Sequence, residues 1–223
     1  EIETREEFME RYFEGDTFSE AEIRSAVRTN VLDGSIVPVE MGSSTTCRGV
    51  YALLDDIVKY MPSPDHRKMN GINLKTNEIF EANFDFSKPK SAYIFKTIVD
   101  PFIGRYSLLK IRSGVFKTDD TVYDNALESE LRLGKLYIMM GNKTTEIPEV
   151  HAGDLCAVAK LGDAKTGDTL STKATPIQYG KMDISTPYTY IRYKAKNKND
   201  VDKIAQAMTK ISSEDPTFKM VIS

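Results

Sequence analysis

The sequence predicts a multi-domain chain: an α/β unit, then a small β-barrel, then the opening strand and helix of an α+β unit. Three observations carry that prediction. An apolar run bounded by turn residues leads into the clearest amphipathic helix, near residues 36–61. Between residues 89 and 170, β-branched and aromatic residues recur in short runs separated by turn residues, the pattern of a small all-β domain. After residue 185 one strand-like run and one helix-like run follow, too few to close a core.

The chain opens with two short helices. Thr4 with Glu7, and Ser19 with Glu22, have capping-box spacing, in which a hydroxyl and a carboxylate each satisfy an orphan amide of the first turn. Gly15-Asp16 separates the two helices, and Ile23, Ala26 and Val27 form a narrow apolar edge on the second. Residues 36–39, between Asp33-Gly34 and Gly42-Ser43-Ser44, read as a short strand, with Pro38 favouring a strand end or edge. Val50, Leu53, Leu54, Ile57, Val58 and Met61 then repeat as one helical face and predict core. Pro62-Ser63-Pro64 ends that helix.

Residues 65–87 lack a sustained period and read as a linker with one hairpin, marked by Asn70-Gly71 and Lys75-Thr76-Asn77. Barrel strands are predicted at 93–98, 106–111, 121–123, 135–139 and 155–159. Turns fall at Asp100-Pro101, Ser113-Gly114, Asp119-Asp120, Gly141-Asn142, Ala152-Gly153-Asp154 and Gly162-Asp163. A polar bridge, 171–187, leads to a strand at 188–193. A helix follows over about 200–211, with Asn199 as its N-cap. Lys194, Lys196 and Lys198 alternate with Ala195 and Asn197 and would share one strand face, a charged edge that discourages sheet-to-sheet pairing.

Charge and composition narrow the function classes. The net charge of −3 argues against a general nucleic-acid binder. The charge is uneven: residues 1–34 hold ten acids against four arginines, and residues 185–223 hold seven bases against four acids. No apolar run approaches the roughly 20 residues of a membrane span. Cys47 and Cys156 have no partner spacing, so neither a metal framework nor a disulfide is expected, and a reducing cytosol is the natural setting. His66 and His151 are the two histidines, and His66 reads as a surface loop residue. No Ser/His/Asp or Cys/His catalytic set is present, and the sequence contains no GxxxxGK[ST] phosphate loop.

Taken in order, the segments resemble a known family. IVPVEMGSSTTCRGVYALLDDIVKYMPSP is similar to the last strand, guanine-contacting loop and closing helix of the GTP-binding domain of elongation factor G. That family reads Cys-Gly-Ser-Ala at the loop, and here it is Met41-Gly42-Ser43-Ser44. AYIFKTIVDPFIGRYSLLKIRSG, AGDLCAVAKL and TGDTL resemble the β-barrel shared by translational GTPases. The EDPTF run resembles the start of the domain that follows it. Met139-Met140-Gly141-Asn142-Lys143 is closer to divergent elongation factor G-like paralogues than to the mainstream Met-His-Ala-Asn-like stretch.

The resemblance implies four segments. Residues 1–64 would be the C-terminal α/β tail of a GTPase domain with its helical insertion, and 65–87 a linker. Residues 88–175 would be an elongation factor Tu domain 2-like β-barrel, and 185–223 the truncated start of a ferredoxin-like α+β domain. It implies an internal fragment of a cytoplasmic, ribosome-dependent GTPase that drives tRNA–mRNA translocation. A ribosomal protection or rescue factor of the same architecture, or a non-catalytic ribosome-binding fragment, is the alternative. GTP or GDP, with magnesium, would be the parent's ligand; the fragment, without a phosphate loop, would neither hydrolyse nor measurably bind GTP. Partners would be ribosomal RNA and proteins, with neither membrane nor DNA. Gly42, Ser43 and Ser44 would contact guanine through the amides and hydroxyls of the serines, with Gly42 permitting the turn. The same three residues also read as an ordinary βα turn with a serine capping the helix. Arg105, Lys110 and Arg112 would contribute phosphate contacts to ribosomal RNA.

Overall fold

A computed structural model describes residues 6–66, 69–100, 104–141 and 143–221. The chain divides into two compact units, residues 1–66 and 67–223.

The first unit is helical. Helices α1 (Glu6–Phe13), α2 (Glu20–Asp33) and α3 (Val50–Tyr60) appear where the sequence places them. The Ser19/Glu22 capping box is formed: Glu22 N–H donates to Ser19 Oγ at 3.3 Å, and Ser19 N–H donates to Glu22 Oε2 at 2.8 Å. The box expected at Thr4 lies outside the described residues. Arg11 joins α1 to α2. Its guanidinium lies 4.9 Å from the Phe18 ring centroid and donates to Glu22 Oε1 at 2.7 Å. That bond, with the two from Ser19, holds the Glu22 carboxyl down at about 2. The folded value lies below the ordinary 4.5, so the stabilisation is complete above about pH 4.5 and is lost as the pH falls through about 2. An NMR titration of the Glu22 side chain should show its midpoint near 2. A midpoint near 4.5 would mean that the Arg11 contact does not persist in solution.

Two expectations for this unit are corrected. Residues 36–39 form no strand; Val37 and Val39 are 76% and 86% exposed. A strand requires a neighbouring strand for its amides and carbonyls; among the described residues none pairs with this segment, and Ile36 N–H donates instead to the Asn30 carbonyl at 3.0 Å. The apolar face of α3 exists but is not core: Leu53, Leu54 and Ile57 are roughly half exposed. Helical periodicity reports that a face is apolar, and the described residues cover this one only in part.

The second unit is built almost entirely of antiparallel strands. Hairpin β1 (Asn70–Asn73) and β2 (Ile79–Glu81) lies in the stretch read as a linker, and its turn places Asn77 at φ 58°. The long hairpin β3 (Ser91–Asp100) and β4 (Gly104–Ser113) follows, with a register shift between Ile94 and Lys96. Then come β5 (Val115–Lys117), β6 (Thr121–Asp124), β7 (Ser129–Arg132), β8 (Leu136–Met140), β9 (Lys143–Ile147), β10 (Glu149–His151), β11 (Leu155–Ala159), β12 (Thr169–Ser171) and β13 (Ile177–Gln178). The main sheet runs β7-β6-β12-β3-β4-β11-β8-β9, beside the pair β10-β5 and the three strands β13-β1-β2.

Alternation explains the core. Ile94 pairs with Leu109 across β3 and β4, and both are fully buried. They meet Phe116 from β5, Val122 from β6, Leu136 from β8, Val158 from β11 and Leu170 from β12 in one cluster. A satellite cluster of Ala82, Tyr93, Ile177 and Tyr179 packs β13 and the end of the first hairpin against β3. The segment read as a linker is therefore tied to the barrel by its own small core.

Beyond residue 179 the chain carries little regular structure. The strand expected at 188–193 is absent, and Tyr188, Tyr190 and Ile191 are 92%, 88% and 88% exposed. As at 36–39, no strand among the described residues pairs with it. Lys194 and Lys196 therefore share no strand face, and Lys198 opens a 3-10 turn. Helix α4 (Val201–Glu214) has Asp200, rather than Asn199, as its N-cap. Its last residue is anchored to the barrel, because Val99 N–H donates to Glu214 Oε1 at 2.5 Å. In the EDPTF run, the Asp215 carboxylate accepts from Thr217 N–H at 2.8 Å and Thr217 Oγ at 2.6 Å, closing the helix with a local turn. Among the described residues no helix is long and apolar enough to cross a membrane.

Candidate functional site

The loop before α3 folds back on itself. Ser43 and Arg48 form an isolated antiparallel bridge, with Ser43 N–H donating to the Arg48 carbonyl at 3.0 Å. Inside it, Thr46 N–H donates to Ser43 Oγ at 3.3 Å and the Cys47 thiol approaches the Ser44 carbonyl at 3.7 Å. Cys47 itself sits at φ 55°. Gly49 then enters the helix at φ 80°, ψ −8°, and its carbonyl accepts from Leu53 N–H at 3.0 Å.

A cleft of about 240 Å³ opens beside this loop, lined on one side by Glu40, Met41, Gly42, Ser43 and Ser44 and on the other by Arg48, Gly49, Val50 and Leu53. All three residues singled out from the sequence border it. Their roles differ from the expected ones in three respects. Gly42 is not needed for an unusual φ; it is needed for space, since a Cβ there would lie 2.8 Å from the Arg48 carbonyl oxygen. Neither serine caps α3, whose N-cap is Gly49 with no side-chain bond. The Ser43 amide is engaged by Arg48, whereas the Ser44 amide has no protein acceptor among the described residues. The cleft thus brings the polar residues Ser43 and Ser44 beside the apolar side chains of Val50 and Leu53. A flat polar ring, such as a purine, has those two requirements: edge hydrogen bonds and an apolar face.

Sequence reasoning missed Glu40, Arg48 and Gly49. A hydrogen bond with the Asp56 carboxyl, followed by partial desolvation, holds the Glu40 carboxyl above its ordinary range. Asp56 also meets Lys59 at 3.3 Å. The one available signal was Gly49 directly ahead of the helical period, where a left-handed residue starts the helix.

The three basic residues proposed for phosphate contacts do not form an exposed patch. Arg112 is only 9% exposed, with its guanidinium 5.9 Å from the Tyr179 ring centroid. The Arg105 guanidinium donates to the Gly162 carbonyl, and Lys110 is half-buried on β4 with a contact of its own. His151 is held by Glu149 at 3.5 Å and packs on Phe86, a structural setting. Among the described residues no group of three metal-ligating side chains exists.

The cysteines are free and differ in environment. Cys156 is buried and its thiol is pushed up to about 12 by desolvation, whereas Cys47 is exposed. One thiol per folded chain should alkylate at pH 8, and mass spectrometry should place it on Cys47. Labelling of Cys156 without denaturant would contradict the packed barrel.

Residues 89–173 match the family model of elongation factor G domain 2. The chain also superposes on a crystal structure of a protein from Thermus thermophilus, with a TM-score of 0.76 and 27% identity. That match covers 99% of this chain and 31% of the Thermus chain, so the sequence spans about a third of the longer protein. The β3–β4 hairpin and most of the buried core lie inside the matched segment, so residues 89–173 are similar to elongation factor G domain 2.

Proposed function

We propose that the chain acts within a ribosome-dependent translational GTPase resembling elongation factor G, and that the parent couples GTP hydrolysis to tRNA–mRNA translocation. The barrel of residues 89–173 is the observation that carries this reading. The alignment of 99% of the chain with part of one longer protein supports it, because the match extends beyond residues 89–173. In this reading the partners are ribosomal RNA and proteins in the cytoplasm. Guanine nucleotide, with its magnesium, is held mainly by parts of the parent that carry the phosphate loop. The cleft of Gly42, Ser43 and Ser44 supplies the edge contacts to the base, through the Ser44 amide and the two hydroxyls. The chain by itself then neither hydrolyses GTP nor binds it at micromolar concentration.

A divergent role, in ribosome protection or rescue, is the second reading. The Met139-Met140-Gly141-Asn142-Lys143 stretch favours it, at the end of the β8–β9 hairpin where Met140 is 67% exposed; Asn142 lies outside the described residues. A competition assay tests what both readings share. Excess chain should inhibit ribosome-stimulated GTP hydrolysis by authentic elongation factor G. Undiminished hydrolysis at a large molar excess overturns the shared ribosomal site.

A further inference from the structure

We propose that Gly49 is a positioning residue for base recognition: its backbone contact with Met41 and Gly42 clamps the 43–48 loop shut and fixes Ser44 at the cleft rim. This inference rests on the guanine reading of the same cleft.

Two separate constraints converge on Gly49. Its φ of 80° is costly for any residue with a Cβ. A Cβ there would also meet the Met41 carbonyl oxygen at 3.0 Å and the Gly42 Cα at 3.3 Å. The reciprocal contact is as tight, with a Cβ on Gly42 lying 2.8 Å from the Arg48 carbonyl oxygen. Every atom met is backbone, so no rotamer change relieves the contact. The two glycines let the chain entering the loop and the chain leaving it touch directly. That approach brings Ser43 N–H within 3.0 Å of the Arg48 carbonyl, the bond that closes the loop. With the Ser43 amide spent on closure, the Ser44 amide is left for a ligand. Met41–Ser44 and Arg48–Val50, which line the cleft, are the two segments the clamp holds together. Widening it moves the donor away from the apolar wall.

A neighbouring glycine separates strain from contact. Gly34 has nearly the same φ, 84°, and a Cβ there would meet nothing within 4 Å. Gly34→Ala therefore carries the conformational cost alone. Gly42→Ala carries the contact without a left-handed φ, and guards against a Gly49→Ala protein that fails to fold.

The experiment has two arms. In the first, amide hydrogen exchange of the 223-residue chain follows Ser43 N–H. Protection should fall at least about tenfold, the scale of one ordinary hydrogen bond, in Gly49→Ala and Gly42→Ala. It should be unchanged in Gly34→Ala. Equal protection in all four proteins overturns the clamp. The second arm measures GTP and ATP affinity in the full-length GTPase that carries this sequence. Gly49→Ala should weaken GTP about tenfold with ATP affinity unchanged, because phosphate contacts lie elsewhere. Loss of Ser43 protection with an intact preference for GTP overturns the positioning role. A wild-type protein that does not prefer GTP over ATP overturns the guanine reading itself, and with it the functional half of this inference, while the exchange arm still decides the clamp.

Discussion

Replacing Phe116 with alanine is expected to lower the unfolding free energy of the barrel unit by about 3–5 kcal/mol. Phe116 is fully buried on a strand of only three residues, Val115–Lys117. Among the described residues that strand pairs only with Glu149–His151, outside the main sheet, so the Phe116 side chain is its main contact with the core. Deleting the ring removes the apolar transfer contribution and leaves a cavity bounded by a close-packed sheet that relaxes only in part. A loss of this size is a large fraction of the 5–15 kcal/mol typical of a whole domain. Urea unfolding of the variant should show a lower midpoint at unchanged slope for the transition that exposes Cys156. A cost below about 1 kcal/mol would mean that β5 and β10 do not close over the core.

Tyr179→Ala is expected to cost about 3–5 kcal/mol as well, and Tyr179→Phe about 1–2 kcal/mol. The phenol is buried, and its OH lies 2.7 Å from Ser91 Oγ, which lies 2.5 Å from Ser113 Oγ. Ser113 Oγ in turn donates to the Pro89 carbonyl at 2.6 Å. Burial pushes the Tyr179 hydroxyl up to about 12, so it remains a neutral member of this chain of hydroxyls throughout the working pH range. Removing only the OH leaves Ser91 and Ser113 paired with each other, hence the modest cost. Removing the ring also uncovers Tyr93 and Ile177 and deprives Arg112 of its aromatic face. Parallel denaturation of the two variants separates hydrogen bonding from packing. Equal costs would assign the whole effect to the hydroxyl and contradict the satellite core.

The legible parts of the fold were those fixed by local pattern. The Ser19 capping box, the period of residues 50–61 and the strands at Ser91–Asp100, Gly104–Ser113 and Leu155–Ala159 each carry their signal within a few residues. The strands Ser129–Arg132 and Lys143–Ile147 carry none: one is half charged, the other polar and exposed, and both are edge strands held by a partner. The reverse error occurred at residues 36–39 and 188–193, where strand-like composition finds no partner. Pairing is a property of two segments, and composition reports only one. In the candidate site, the Gly-Ser-Ser loop was visible as punctuation between an apolar run and a helix. The close approach at Gly49 was not, because it arises only after folding, when Met41 and Gly42 leave no room for a Cβ there. Arg112 was misread for a related reason: its charge suggested a surface, but an aromatic ring far along the chain covers it.

Under the proposed function, the unit containing residues 89–173 engages the ribosome. Sedimentation of the chain with purified ribosomes of its source organism, at ionic strengths from about 50 to 200 mM, tests it directly. Saturable co-pelleting that weakens as salt rises and is displaced by authentic elongation factor G is the expected result. A chain that stays in the supernatant at the lowest salt, or that pellets without saturation or displacement, would contradict it.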